Sequence, residues 1–75
     1  HHGARMGSHN IFSTYATVLG YCNVGDDNWL GSGTTITQRT NIGNDNTLNS
    51  GEYLFDDLLD RQIFQSGVTF DKPQK

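Results

Sequence analysis

Large apolar residues recur at six-residue intervals along most of this chain. Two positions before them stands a run of small or compact residues, which Glu52 ends. The large series is Phe12, Val18, Val24, Leu30, Ile36, Ile42, Leu48 and Leu54, and the small series is Ala16, Cys22, Asn28, Thr34, Thr40 and Asn46. Three such hexapeptides make an eighteen-residue repeat, in which NVGDDNWLGSG (23–33) returns as NIGNDNTLNSG (41–51).

Each hexapeptide predicts one short strand followed by one tight turn. Alternate residues of a strand point to the same side, so the large residue and its small partner both face inward. The intervening glycine, aspartate and asparagine residues suit a corner. Three corners of about 120° close a triangular coil, and the next coil lies ~4.8 Å above it. The predicted inner walls are Val18, Ile36 and Leu54; Val24 and Ile42; and Phe12, Leu30 and Leu48. Asn28 and Asn46 are expected to stack as an amide ladder, either inside the coil or at a corner.

This pattern resembles the hexapeptide-repeat family over residues 9–72. The resemblance implies an all-β, left-handed parallel β-helix of about two to three coils with a short C-terminal extension. The hand rests on the resemblance alone, because crossovers between parallel strands are otherwise right-handed in ~98% of cases. Most members of the family are acyltransferases that form homotrimers with parallel helix axes. A trimer, or a longer parent protein, also suits the size of the chain, since a solenoid this short buries little surface by itself.

Three segments are expected along the chain. Residues 1–8, HHGARMGS, are typical of a tag and linker remnant, residues 9–55 form the β-helix, and residues 56–75 form a C-terminal turn and return strand or tail. Two structures compete for EYLFDDLLDRQIF (52–64). Its apolar spacing also suits one face of a short helix, whereas the family ending places a return strand at 62–65 and starts its closing signature at Gly67-Val68. In that signature Thr69, Phe70 and Asp71 replace the family's proline and alanine before Lys72.

Composition excludes several classes of partner. The formal net charge is −3, and the few cations are scattered. We therefore expect no nucleic-acid partner and no anionic membrane, both of which bind clustered Lys and Arg. No apolar run reaches the length of a membrane span. Cys22 is the only cysteine, so no internal disulfide forms, which favours a cytoplasmic location.

His9 is the candidate catalytic residue. Acyl transfer to an amine or hydroxyl requires a base, and imidazole exchanges protons near neutral pH. In the family that this chain resembles, sugar acetyltransferases carry a Ser-His pair shortly before their first complete coils, and Ser8-His9 stands at a similar place. The alternative is that His9 is only the first ordered residue after a Gly-Ser linker.

The resemblance also implies a groove between subunits for acetyl-coenzyme A (acetyl-CoA), the acetyl donor. Gly31 and Ser32 are candidate neighbours of its pantetheine arm, because a glycine after the apolar position permits close approach. Arg39 and Lys72, with Arg61, are the cations that could meet its phosphates. Ordinary solvated surface charge is the alternative for all three.

Other notable side chains have structural explanations. Cys22 occupies a small inward position, where a thiol packs as a compact apolar group. Trp29 should point outward and, like Tyr53, suits a subunit interface. The Asp26-Asp27 and Asn44-Asp45 corners are solvated turns rather than a calcium site.

Two functions follow from the sequence. The first is an acyltransferase domain, complete or truncated, that moves an acetyl group from acetyl-CoA to an amino or hydroxyl group of a sugar or nucleotide-sugar acceptor. The second is a trimeric β-helix that serves only as a scaffold or binding module.

Overall fold

The computed structural model describes residues 5–73, which consist of strands, turns and bends without a helix. Most strands are two residues long because each six-residue unit must also contain a corner. The strands are β1 (Arg5–Met6), β2 (Ile11–Phe12), β3 (Thr17–Val18), β4 (Asn23–Val24), β5 (Trp29–Leu30), β6 (Thr35–Ile36), β7 (Asn41–Ile42), β8 (Thr47–Leu48), β9 (Tyr53–Leu54), β10 (Gln62–Gln65) and β11 (Val68–Asp71).

The chain is a parallel β-solenoid of about three turns with about 18 residues per turn. Its three walls are the sheets β1-β4-β7, β2-β5-β8-β10-β11 and β3-β6-β9. Every predicted inward stack is confirmed by the strand register, for example Val18 with Ile36 and Ile36 with Leu54. The hand of the coil stays a prediction of the family resemblance.

The core is a single column inside the triangle. In most strands the first residue is exposed or half-buried and the second is buried, as the six-residue pattern predicts. The buried apolar residues are Val18, Cys22, Val24, Leu30, Ile36, Ile42, Leu48, Leu54, Leu58 and Phe64. The compact partners Asn28, Thr34, Thr40 and Asn46 are also buried. The inner side of each coil is therefore nearly filled, and outward side chains contribute little to it.

The first coil starts earlier than the predicted start of the solenoid at His9. Arg5 pairs with Asn23 and Met6 with Val24 in a parallel ladder. Met6 thereby extends the six-residue series one step before Phe12. Residues 5–8 of the segment expected to be a linker thus lie in the solenoid, while residues 1–4 of that segment lie outside the described residues.

One corner carries an amide ladder that joins all the coils. We call it the amide corner; it comprises residues 7–10, 25–28, 43–46 and 59–62. The side-chain Oδ1 of Asn10 accepts the main-chain N–H of Asn28, and Asn28 Oδ1 accepts that of Asn46, both at 2.8 Å. Asn46 Oδ1 continues the series to the N–H of Gln62 at 2.8 Å. The predicted contact between Asn28 and Asn46 is confirmed, and the ladder extends beyond both.

A second ladder runs the opposite way at the same corner. Here the side chain belongs to the following coil. Asp26 Oδ1 accepts the N–H of Ser8 at 2.8 Å, Asn44 Oδ1 that of Asp26 at 2.7 Å, and Asp60 Oδ1 that of Asn44 at 2.7 Å. Neighbouring coils are therefore joined by side-chain hydrogen bonds in both directions, which satisfies main-chain donors that the strands leave free at the turn.

A column of glycines makes room for the second ladder. The column consists of Gly7, Gly25 and Gly43, each directly after an inward apolar residue. A Cβ atom added to Gly25 would overlap the Gly43 carbonyl and Asn44 Oδ1. The glycine is required here by the close approach of the next coil, and not by a positive φ angle.

The last coil is two residues shorter than the others. Leu58, sixteen positions after Ile42, stacks on it through an isolated parallel bridge. Asn10 and Asn28 donate their side-chain Nδ2 groups to the carbonyls of Gly25 and Gly43, at 2.8 and 2.9 Å. The corresponding Nδ2 of Asn46 is buried without a partner among residues 5–73. The shortened coil has displaced the acceptor that a full-length coil would supply.

The chain after the solenoid is a hairpin, so the helix alternative for residues 52–64 is wrong and the predicted return strand Gln62–Gln65 is confirmed. Strands β10 and β11 pair antiparallel around Ser66 and Gly67, whose φ angles are 52° and 75°. The Glu52 carboxylate accepts both N–H groups of this turn, at 2.9 and 3.2 Å. Glu52 ends the run of small residues because its longer side chain holds the hairpin.

Replacing Gly25 with alanine should destabilise the fold by ~3 kcal/mol or more, since the added Cβ overlaps backbone that cannot move without separating two coils. Gly51→Ala is the matched control. Gly51 has a φ angle of 75°, and a Cβ added to it would have no neighbour within 4 Å, so only the left-handed conformation opposes alanine, at ~1 kcal/mol. Equal losses in urea denaturation would contradict a steric role for the glycine column.

Replacing Asn28 with alanine should destabilise the fold by ~3 kcal/mol, because it leaves the buried N–H of Asn46 and the carbonyl of Gly43 without their partner. Asn23→Ala removes only an exposed side-chain bond to Asn41 and should cost less than ~0.5 kcal/mol. Denaturation midpoints of both variants measure the difference. If Asn28→Ala left the free energy of unfolding unchanged and Asn23→Ala lowered it, the exposed bond between Asn23 and Asn41 would matter more than the amide ladder.

Candidate functional site

His9 lies at the tip of the amide corner in the first coil. Its φ angle is 60°, and Asp27, Asp45 and Arg61 occupy the same left-handed position in the next three coils, with φ between 58° and 60°. This conformation turns the side chain out of the corner, and the His9 side chain is 82% exposed. The corner geometry therefore presents His9 to solvent at a fixed place on a rigid coil.

Asp27 is the charged neighbour of His9. Its Oδ1 lies 3.8 Å from His9 Nδ1, and its side chain is 65% exposed. This separation is too long for a hydrogen bond, and closing it by about 1 Å would form one. An acceptor facing Nδ1 favours the tautomer that carries its proton there, which leaves Nε2 free to take up a proton. The pair can thus orient an imidazole as a base.

The pairing of Asp27 with His9 is absent from the predictions made on the sequence. The sequence does contain the spacing that indicates this pair, since Asp27 follows His9 by eighteen positions, which is one coil. It is concealed when residues 1–8 are taken as a linker and the coil is not extended back to Met6. Once Met6 pairs with Val24, the corner positions of His9 and Asp27 follow directly.

An apolar stripe borders the amide corner on the outer face of the five-stranded wall. It consists of Ile11, Trp29, Ile63 and Phe70, with Thr47 between Trp29 and Ile63, and neighbours along the stripe are paired in the strand register. Trp29 is 38% exposed, and Leu30 beside it is fully buried. The predicted outward direction of Trp29 is confirmed. All members of the stripe lie on the five-stranded wall.

Gly31 and Ser32 lie at the next corner, across the five-stranded wall from His9. Gly31 is buried, and a Cβ added there would lie 2.6 Å from the Ser50 nitrogen. Stacking of the coils therefore explains this glycine without a ligand. Ser32 is exposed, and its carbonyl accepts the N–H of Gly51 at 2.7 Å. Of the two residues predicted to lie beside the pantetheine arm, Ser32 is therefore the more accessible.

Arg39 and Lys72 lie at different corners from Ser32. The Arg39 guanidinium carbon is 5.4 Å from the centre of the Tyr21 ring, at the third corner. The Lys72 ammonium lies 3.2 Å from Asp45 at the amide corner, and Arg61 lies 3.1 Å from the same carboxylate. One chain therefore places the four predicted cofactor residues at three different corners and does not bring them together.

Cys22 is fully buried, as its inward position predicts, and its thiol donates to the Thr37 carbonyl at 2.8 Å. This environment fits core packing. Among residues 5–73 no group of three or more His, Cys, Asp or Glu side chains is arranged to hold a metal ion. The same part of the chain contains no helix able to cross a membrane.

Comparisons of this chain with protein-family models, with curated proteins and with solved structures give no match. The solenoid fold is therefore shown by the strand pairing and the repeat.

Proposed function

We propose that this chain transfers an acetyl group from acetyl-CoA to an amino or hydroxyl group of a sugar. The observation that carries the proposal is the exposed imidazole of His9 at the amide corner, with the Asp27 carboxylate 3.8 Å from its Nδ1. A shift of Asp27 toward Nδ1 would form a hydrogen bond that orients the ring and leaves Nε2 for the acceptor. The hexapeptide repeat, with the acyl transfer that its resemblance implies, supports the same chemistry.

The reaction needs one proton removed and one returned. His9 Nε2 accepts the proton of the acceptor amine or hydroxyl while that nitrogen or oxygen attacks the thioester carbonyl. The new C–N or C–O bond forms, and the C–S bond of acetyl-CoA breaks. The departing thiolate of coenzyme A then takes the proton from the imidazolium.

A homotrimer would complete the donor site. In the second coil, β5 runs from residues 25–28 of the amide corner to the corner that holds Gly31 and Ser32. The five-stranded wall therefore lies between these two corners. If the apolar stripe on this wall packs against a neighbouring copy, both corners flank the contact. His9 of one copy then faces the groove in which Ser32 or Lys72 of another copy meets acetyl-CoA. Arg39, at the third corner, lies off this contact.

A second function is favoured by the stripe itself. Four large apolar side chains aligned on one outer wall are suited to burial between copies, whether or not chemistry follows. In this alternative the chain is a homotrimeric scaffold or binding module, and His9 is an exposed corner residue. Stabilisation by acetyl-CoA distinguishes the two, since a ligand that binds the folded chain raises its melting temperature.

Replacing His9 with alanine should lower the rate of acetyl transfer by ~10²–10⁴ and leave the affinity for acetyl-CoA almost unchanged, because a base acts on the proton in transit. Asp27→Asn should lower the rate by ~10-fold, since it weakens orientation of the ring without removing it. Thiol release from acetyl-CoA with nucleotide-linked amino sugars measures both. Gln38→Ala, on an exposed turn at the third corner, is the control and should retain the full rate. Full activity of His9→Ala would exclude His9 as the base.

The chain should sediment at three times its monomer mass of 8.3 kDa. Trp29→Ala should weaken this association by ~10-fold or more, because an aromatic side chain at the centre of an interface contributes most of its energy. Tyr15→Ala, on an 86% exposed side chain away from the stripe, is the control and should change the association little. A monomer at high micromolar concentration would exclude the trimer and the donor site between copies.

A further inference from the structure

The hairpin after the solenoid is attached to the coils by few contacts. Strand β10 pairs with β8 over two residues, Ile63 with Thr47 and Phe64 with Leu48. Phe64 is the only buried residue of the hairpin, while all four residues of β11 are exposed. Strand β11 pairs with β10 and with no other strand of residues 5–73. The hairpin therefore contributes one side chain to the core, whereas each complete coil contributes several.

The junction between the last coil and the third coil is weaker than the junctions before it. Leu59 occupies the place in the last coil that the glycine column holds in the others, so this coil leaves no room for another one above it. On the side of the third coil, the buried Nδ2 of Asn46 has no partner among residues 5–73, whereas Asn28 Nδ2 donates to the Gly43 carbonyl. A buried donor without a partner costs free energy. We therefore expect this junction to open before those between the other coils.

Two carboxylates of the third coil hold the hairpin, one at each of its ends. At the turn, the Glu52 carboxylate accepts both N–H groups, as described above. At the open end, Asp45 Oδ2 lies 3.1 Å from Arg61 Nη1, and Asp45 Oδ1 lies 3.2 Å from Lys72 Nζ. Hydrogen bonds to a charged group are stronger than neutral ones. These carboxylates therefore supply much of the attachment that the small apolar contact does not.

We infer that the hairpin is a strap, which opens from the third coil as one unit while the other coils stay folded, and that Asp45 and Glu52 control its opening. A two-stranded hairpin is marginally stable in water by itself, so the bonds between β10 and β11 open together with the strap. Opening uncovers Leu48 and frees the N–H of Asn49, which donates to the Phe64 carbonyl at 3.0 Å in the closed form. The opening does not depend on the proposed acetyl transfer.

The strap also carries part of the apolar stripe. Ile63 and Phe70 lie on the hairpin, whereas Ile11 and Trp29 lie on the coils. An open strap therefore removes two of the four large apolar side chains from the surface proposed for association of copies. Association through the stripe should in turn hold the strap closed, because coupling between two equilibria is reciprocal. This regulatory role, unlike the opening itself, rests on the proposed homotrimer.

Native-state hydrogen exchange, followed by NMR in dilute solution, measures the opening. The N–H groups of Asn49, Arg61 and Gln62 bridge the third coil and the segment that opens, and we call them the bridging amides. Those of Trp29 and Gly31 bridge the second and third coils. The bridging amides should exchange on the order of 10-fold faster than the other two, or more, and at one common rate. Equal rates for the two groups would overturn the inference.

Two substitutions test the control by carboxylates. Glu52→Ala should speed exchange of the bridging amides by ~10–100-fold, and the coil accommodates alanine because Ala16 stands at the same position two coils earlier. Asp45→Asn should speed it by ~3–5-fold, since partly exposed ion pairs contribute little, and should remove most of its dependence on salt. Asp27→Asn, at the same corner position one coil earlier, is the matched control and should leave the exchange unchanged.

Two further results would overturn control of the strap by Asp45 and Glu52. One is exchange of the bridging amides that neither substitution changes. The other is equal acceleration at Trp29 and Gly31, which would show that the substitution loosens the whole solenoid.

Exchange at two protein concentrations tests the regulatory role. Where the copies associate, the bridging amides of the unsubstituted chain should exchange ~10-fold more slowly than in dilute solution, because association favours the closed strap. Trp29→Ala, which weakens association, should show little of this slowing at the same concentration. An associated chain whose bridging amides do not slow would overturn the regulatory role. A chain that stays monomeric would exclude the trimer instead, and the dilute measurements would still decide whether the strap opens.

Discussion

The structure depends on the close approach of successive coils at the amide corner. Side-chain oxygens of one coil bind main-chain N–H groups of the next in both directions, and this is possible only where a glycine leaves room for the crossing side chain. These bonds satisfy donors that would otherwise be buried at a turn without a partner. The apolar column holds the walls together, but the corner fixes the register between coils. A shift by one residue would remove both ladders and turn the core outward.

The candidate site is a consequence of the geometry of this corner. Because the residue between the two ladders adopts a left-handed conformation, its side chain leaves the corner and is free to carry chemistry. The same position holds His9, Asp27, Asp45 and Arg61 at successive coils, so the order of residues along the axis sets which charges are neighbours. Asp45 pairs with both Arg61 and Lys72, and Asp27 lies beside His9. A rigid scaffold positions these groups without a dedicated loop.

Most of the fold was predictable because the period is strict. The inward stacks, the buried Cys22, the contact between Asn28 and Asn46 and the outward Trp29 all follow from spacing in the sequence. Predictions from the sequence were incomplete where the six-residue period breaks or is concealed. The two-residue deletion before Leu58 gives that segment an apolar spacing that also suits a helix, and a linker-like Gly-Ser pair conceals the first coil. The cofactor residues could not be placed together from sequence, because distances between corners, and between copies, are not encoded in local spacing.

Leu59 also constrains how this protein can change length over generations. Duplication of any eighteen-residue stretch within the repeat, such as 23–40, inserts a whole coil and preserves both ladders and the glycine column. Addition of a coil beyond Leu59 would instead meet a branched side chain where the packing of coils requires none. Growth of the array is therefore directional. New coils are accommodated within the array and not beyond the hairpin.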